Sequence, residues 1–219
     1  MSALALLIGN KNYSSWSLRP WFALRQSGLA FTEERVAMNT PEFGPRVRAW
    51  SPAARVPVLR HGDLVVWDSI AICEYLAETF PAARLWPTDP AERAHARAIS
   101  AEMHAGFQSL RGQMPMNVRA RGRKVPDTPE LAADIARVCA IWRGCRERAG
   151  ARGPFLFGDF CIADAMYAPV VFRFASYGVP LGPLERTYAE VVRETPALRE
   201  WADAAARETE TIPAGEVGR

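Results

Sequence analysis

The chain has little of several things that would have settled its class. It holds two lysines against twenty-five arginines, and four cysteines in no paired motif. No apolar run approaches the roughly 18 residues a membrane helix needs. Cys73, Cys139, Cys145 and Cys161 show neither CxxC nor metal-ligand spacing, so no bound metal and four reduced core thiols are expected. No basic leader, apolar segment and cleavage site stand at the start, which predicts a soluble, cytoplasmic protein with no membrane partner. The formal charge of +3 is small and scattered, which argues against nucleic acid as a partner. Residues 12–17 lack the glycines that wrap backbone around a phosphate. They also lack the cysteine that a thiol–disulfide relay needs.

What is present is ample apolar material and one polar turn. The chain is 49% hydrophobic, with 7 Trp and 10 Phe, enough for a sizeable core over 219 residues. The turn runs Asn12-Tyr13-Ser14-Ser15-Trp16-Ser17. It follows an apolar strand at residues 4–8 and precedes a helix at 17–26 closed by Gly28. Two or three hydroxyls therefore sit where a helix begins. There unpaired N–H groups and about half a positive charge favour an anion.

The remaining pattern divides the chain. A weaker strand is predicted at 31–38 and a short helix from Thr40-Pro41 toward Ala49. Residues 56–59 and 64–67 form a hairpin about His61-Gly62-Asp63. Asp68-Ser69 caps a helix at 70–79. The order β-α-β-α-β-β-α reads as a thioredoxin-like domain over residues 1–80, with a right-handed crossover between its first two strands. Residues 81–90 read as a proline-rich linker, and 91–219 as an all-helical domain. Its predicted helices span 91–113, 129–149, 162–174, 183–194 and 196–207. Residues 114–127 read as a solvated Arg-rich loop and 211–219 as a loose tail.

Four stretches in this order resemble the glutathione S-transferase superfamily: Ser14-Ser15-Trp16-Ser17-Leu18-Arg19, Arg55-Val56-Pro57-Val58-Leu59, Asp68-Ser69-Ile70-Ala71 and Ile162-Ala163-Asp164-Ala165. The first is similar to the Ser-Ser-Cys-Ser motif of the zeta class, which includes maleylacetoacetate isomerases, with Trp16 in place of the cysteine. The resemblance implies an N-terminal thioredoxin-like domain, a helical C-terminal domain, a homodimer, and glutathione as co-substrate. The activity implied is transfer of the glutathione thiolate to a small electrophile, as in detoxification. Two alternatives stand: a glutathione-dependent cis–trans isomerase of the maleylacetoacetate type, and a non-catalytic glutathione-binding stress or scaffold protein.

The resemblance also assigns roles. Ser14 is expected to donate to the thiolate, with Ser15 as runner-up, Tyr13 as a further possibility and Ser17 as the helix cap. A free thiol of pKa about 8.5 is only about 3% ionised at neutral pH, and lowering it by two units needs roughly 2.7 kcal/mol. A helix N-terminus supplies about 0.3–2 kcal/mol and a hydroxyl bond to an anion about 1.5–3 kcal/mol. Together they suffice. Val56, ahead of a cis Pro57, pairs with the cysteinyl backbone; Arg55 takes the glycine carboxylate; Asp68 and Ser69 take the γ-glutamyl end; Trp16 lines the pocket. His104, Phe107 and Arg111 share one face of the 91–113 helix and line the electrophile pocket, Phe107 beside Trp16. Asp164 serves a structural capping box with Cys161. Arg19 is left without a role.

Overall fold

The computed structural model describes residues 3–219. Its order is β1 (Leu4–Ile8), α1 (Ser15–Ser27), β2 (Phe31–Arg35), α2 (Phe43–Trp50), β3 (Val58–His61), β4 (Leu64–Trp67) and α3 (Ser69–Thr79). Then come α4 (Pro90–Ala105), α5 (Gln108–Gln113), α6 (Pro129–Ala149), α7 (Ile162–Tyr177), α8 (Pro183–Glu194) and α9 (Pro196–Arg207). The sheet order is β2-β1-β3-β4; β1 and β2 are parallel, and the other neighbours are antiparallel. This is the expected mixed sheet followed by helices.

β1 is central because its residues suit burial: Leu6, Leu7 and Ile8 are fully enclosed. The next residue, Gly9, has little room for a side chain. A Cβ on Gly9 would lie 2.7 Å from Met38 Sδ and 3.2 Å from a Val56 methyl. The chain leaving β1 thus runs hard against the segment carrying Val56.

α7 explains how two halves become one body. Almost every residue of it is buried, as a helix apolar on all sides must be. It packs on both α1 and α4. Trp142 of α6 meets Tyr167, Phe174 and Tyr188 at tilted or T-shaped ring angles, with centroids 5.0–6.2 Å apart. One apolar cluster runs from Leu4 through α1 and α7 to Ala205. The capping box ahead of α7 rests on Asp164, which accepts from the backbone N–H groups of Cys161 (2.9 Å) and Leu156 (3.0 Å) and from the Tyr188 hydroxyl (3.1 Å).

Three local expectations change. The 91–113 helix is broken after Ala105, and Phe107 takes a left-handed backbone, φ 59°. A left-handed non-glycine residue costs about 1–2 kcal/mol, so tertiary packing overrides the helical pattern. The break is held by Arg111, whose guanidinium donates to the carbonyls of Met103 and His104 (3.0 Å to the latter). The loop at 119–124 is not a solvated run, and the tail at 211–219 is not loose. Arg119 bonds the carbonyls of Glu208 and Glu210, Arg123 pairs with Glu216, and the Lys124 N–H donates to Gly218 O at 3.0 Å.

Candidate active site

Two cavities of about 580 and 560 Å³ share Trp16, Arg55 and Val56. The first is also lined by Pro57, Asp68, Ser69 and His104. The second is also lined by Ser14, Ser15, Arg111 and Arg173. They form two lobes of one cleft, with Trp16 and Val56 at the waist.

The second lobe begins at the first turn of α1. Ser14, not Ser17, is the N-cap: its Oγ accepts from the Ser17 N–H at 3.3 Å. Ser17 lies inside the helix, where its Oγ accepts the Gly9 N–H at 3.1 Å and stands 2.8 Å from Ser14 Oγ. Hydroxyl protons rotate. Ser14 Oγ donates to Ser17 Oγ here; beside an anion, rotation lets Ser14 donate to that anion while Ser17 donates to Ser14. A string of this kind polarises its last donor. Ser15 starts the helix proper and lines the same lobe. The Tyr13 hydroxyl is engaged elsewhere: it donates to Glu216 at 2.6 Å and accepts from Arg119 at 3.1 Å.

The first lobe is built by α3 and the Val56 turn. The Val56–Pro57 peptide is cis, as the resemblance implied. Asp68 has φ 76° and ψ 134°, a sparsely populated conformation for a residue with a side chain. It places Asp68 Oδ1 2.9 Å from the Ile70 N–H as the cap of α3, while Oδ2 lies 3.4 Å from His104 Nε2. Ser69 is buried at the helix start. Arg55 is exposed at the rim of both lobes.

Trp16 gathers the cations. Arg19 lies 4.4 Å and Arg111 4.6 Å from its ring centre, and His104 meets it edge-on at 5.2 Å. Arg19 is almost wholly buried and donates to Ser69 Oγ at 3.5 Å, and its Nε has no partner. Burial first, then Arg111 and Arg173, hold its guanidinium down at about 9. Arg173 is also buried; it donates to the Met114 carbonyl, and burial with Arg111 holds it at about 10. Among the described residues, none of Arg19, Arg111 and Arg173 has a carboxylate within ion-pair distance. Three such guanidiniums leave a strongly positive floor.

The predicted residues therefore divide. Ser14, Ser15, Trp16, Arg55, Val56, Pro57, Asp68, Ser69 and Arg111 all line the cleft. His104 lines it too, but in the Asp68 lobe rather than with the serines. Phe107 is the exception. Its left-handed backbone turns it into the core, where it is 7% exposed and borders neither lobe. The helical-face argument put it beside Trp16 and failed because the helix breaks there. Arg173, which lines the second lobe, was missed; so were Arg19 and Ser17, which border neither lobe but contact Trp16, Ser69 and Ser14 from behind. Arg173 had a legible signal: it is a lone cation in an otherwise apolar stretch. Among the described residues there is no group of His, Cys, Asp and Glu able to hold a metal.

Comparison with known proteins agrees with this geometry. Residues 13–79 match the model for the glutathione S-transferase N-terminal domain, and residues 126–204 that for the C-terminal domain. A probable maleylacetoacetate isomerase of Caenorhabditis elegans is 39% identical over 97 residues, 44% of this chain and 45% of that one. The chain thus spans under half the length of that relative. The maleylacetoacetate isomerase of Rattus norvegicus is 30% identical over 176 residues, 78% of each chain. A solved bacterial maleyl pyruvate isomerase, a zeta-class glutathione S-transferase, superposes with TM-score 0.71 at 25% identity, over 94% of this chain and 100% of that one. Matched in both halves, and related to the rat enzyme over most of its length, the chain belongs to the glutathione S-transferase family.

Proposed function

We propose that this chain binds glutathione along the cleft, holds it as the thiolate at Ser14, and adds it to a small anionic electrophile. The γ-glutamyl carboxylate meets Ser69, while Asp68, whose Oδ1 holds the Ile70 and Ala71 N–H groups, answers the ammonium with Oδ2. Val56 pairs with the cysteinyl backbone, and Arg55 takes the glycine carboxylate in a two-pronged contact. The sulfur then falls at the waist, near Ser14 and Ser15 at the start of α1. There the hydroxyl string and the helix N-terminus stabilise its charge.

The observation that carries the substrate class is the positive floor of the second lobe. Arg111 and Arg173 line it without a carboxylate partner, and a buried charge left unpaired is costly. A substrate carboxylate removes that cost. Sulfur attack on a conjugated carbon forms the S–C bond and moves the π electrons onto the carbonyl oxygen, which solvent then protonates. For a cis-configured conjugated diacid, reversing the addition after rotation expels the thiolate and leaves the trans isomer. The arginine pair and the maleylacetoacetate isomerase relatives favour this second reading for such substrates.

The same reading makes the protein a cytoplasmic homodimer. Leu64 stands 47% exposed on the edge strand β4, an apolar contact open to a second copy, while Trp67, 48% exposed, lines the first lobe.

The test has two parts. Thiolate absorbance of bound glutathione, followed against pH, should show a midpoint below about 7 against about 8.5 for a free thiol. Turnover should then favour conjugated mono- or dicarboxylates over neutral electrophiles of the same size. An unshifted titration leaves only a glutathione binder; preference for neutral electrophiles removes the anionic-substrate reading.

A further inference from the structure

Beyond the cleft, the last residues of the chain fold back across the molecule onto the turn that carries Ser14. Glu208 accepts from the backbone N–H groups of Lys11 at 2.7 Å and Asn12 at 3.1 Å, one on each oxygen. Glu216 accepts the Tyr13 hydroxyl at 2.6 Å. Gly215 lies flat against the Tyr13 ring; a Cβ there would come within 2.5 Å of Cδ1. Asn117 ties the two together, donating to Gly215 O and to Glu216 at 3.0 Å while accepting from Asn12 Nδ2 at 3.0 Å.

Nothing in the local sequence of residues 9–14 would fix that turn alone. Its internal bonds are the N–H groups of Tyr13 and Ser14 on Asn10 O, at 3.2 and 2.8 Å. Two further amides, those of Lys11 and Asn12, end on a carboxylate about 200 residues away. The Arg-rich loop supplies the opposite grip. Arg119 reaches Tyr13 Oη and the carbonyls of Glu208 and Glu210, and Arg123 pairs with Glu216.

We propose that residues 208–216 form a strap whose Glu208 and Glu216 position the Lys11–Ser14 turn, and so set the ionisation of the thiol bound at Ser14. Glu208 and Glu216 are positioning residues and line neither lobe; Tyr13 borders the second lobe, but its hydroxyl is held by Glu216 and Arg119. The inference rests on Ser14 as the thiolate's donor. Its cause is geometric: a donor displaced by a fraction of an ångström loses much of a bond that matters only when aimed. Removing a strap contact should therefore weaken thiolate stabilisation while sparing the γ-glutamyl contacts at Asp68 and Ser69.

Glu208→Gln, Glu216→Gln and Tyr13→Phe test this in the full chain, with glutathione as the probe. The expected result is an upward shift in the bound thiol's titration midpoint in each variant, with glutathione affinity within about twofold and kcat/KM lowered about tenfold or more. Tyr13→Phe and Glu216→Gln both disturb the Tyr13–Glu216 contact, so together they should shift the midpoint by less than the sum of the two separate shifts. Titrations that superpose on the parent's in all three variants would overturn the proposal. Amide hydrogen exchange at residues 11–14 separates this from failure of the underlying reading. Faster exchange in Glu208→Gln supports the strap even if the parent shows no thiolate shift, in which case only the catalytic consequence is withdrawn. Unchanged exchange in that variant removes the strap itself.

Discussion

Asp68 of the sheet domain and His104 of the helical domain meet at 3.4 Å over the first lobe of the cleft. Asp68 caps α3 with one oxygen and faces the second domain with the other. Burial lowers the His104 imidazole below its usual value; Arg19 and Arg111 add to this and Asp68 opposes it. The shift favours the neutral ring, whose Nε2 stands 3.4 Å from the carboxylate. His104→Ala should raise KM for glutathione several-fold while kcat stays within about twofold, since the pair orients ligand rather than sulfur. Because the folded value lies below the unfolded one of about 6.5, the contribution to stability is complete above that pH. It declines as pH falls below it, and denaturant titrations of the variant should lose that dependence.

The three serines at the start of α1 should separate by role. Ser14→Ala is expected to raise the bound thiol's midpoint and to cost about 1 kcal/mol of stability, because Ser14 is also the cap. Ser15→Ala should leave stability nearly unchanged. Ser17→Ala should raise the midpoint although its oxygen lies behind Ser14, since it removes the hydroxyl that polarises Ser14. Spectroscopic titration of the three variants with glutathione checks the order. A shift in Ser15→Ala larger than in Ser14→Ala would transfer the donor role.

Arg19 is a buried cation without an acidic partner, held at about 9. Replacing such a group with an apolar side chain of similar length is often neutral or stabilising. Arg19→Met should melt no lower than the parent while binding glutathione about tenfold more weakly, because Ser69 and Trp16 lose their support. Calorimetric melting and titration calorimetry on one preparation measure both. A large fall in melting temperature with unchanged affinity would make Arg19 purely structural.

The strap also predicts an acid response. Burial pushes the Glu216 carboxyl up, but hydrogen bonds from Tyr13, Arg219, Arg123 and Asn117 outweigh it and hold it at about 2. A carboxyl depressed in the fold contributes stability that is complete above its unfolded value, about 4.3, and is lost as pH falls through the folded one. Glu216→Gln should flatten the acid limb of the stability curve between those values. Circular dichroism of acid unfolding in the two proteins checks this.

Much of this molecule is written locally. Apolar residues at 4–8, the cap and proline signals at Thr128-Pro129 and Thr195-Pro196, the hairpin about Gly62 and the largely apolar α7 each select their element from nearest neighbours in the chain. The part of the cleft proposed for glutathione is marked by the same kind of local signal. Ser14, Val56, Asp68 and Ser69 lie at strand and helix ends that the sequence marks. What only the tertiary structure decided involves residues far apart in sequence. Phe107 left the site because packing broke a helix that its own spacing favoured. Arg111 and Arg173 converge from two helices on one lobe with Arg19 buried behind Trp16, and Glu208 and Glu216 return to a turn about 200 residues earlier. Periodicity reports which side of an element is buried, but not which other element lies against it; that depends on how whole faces fit, and here the fit decided where the charge collects.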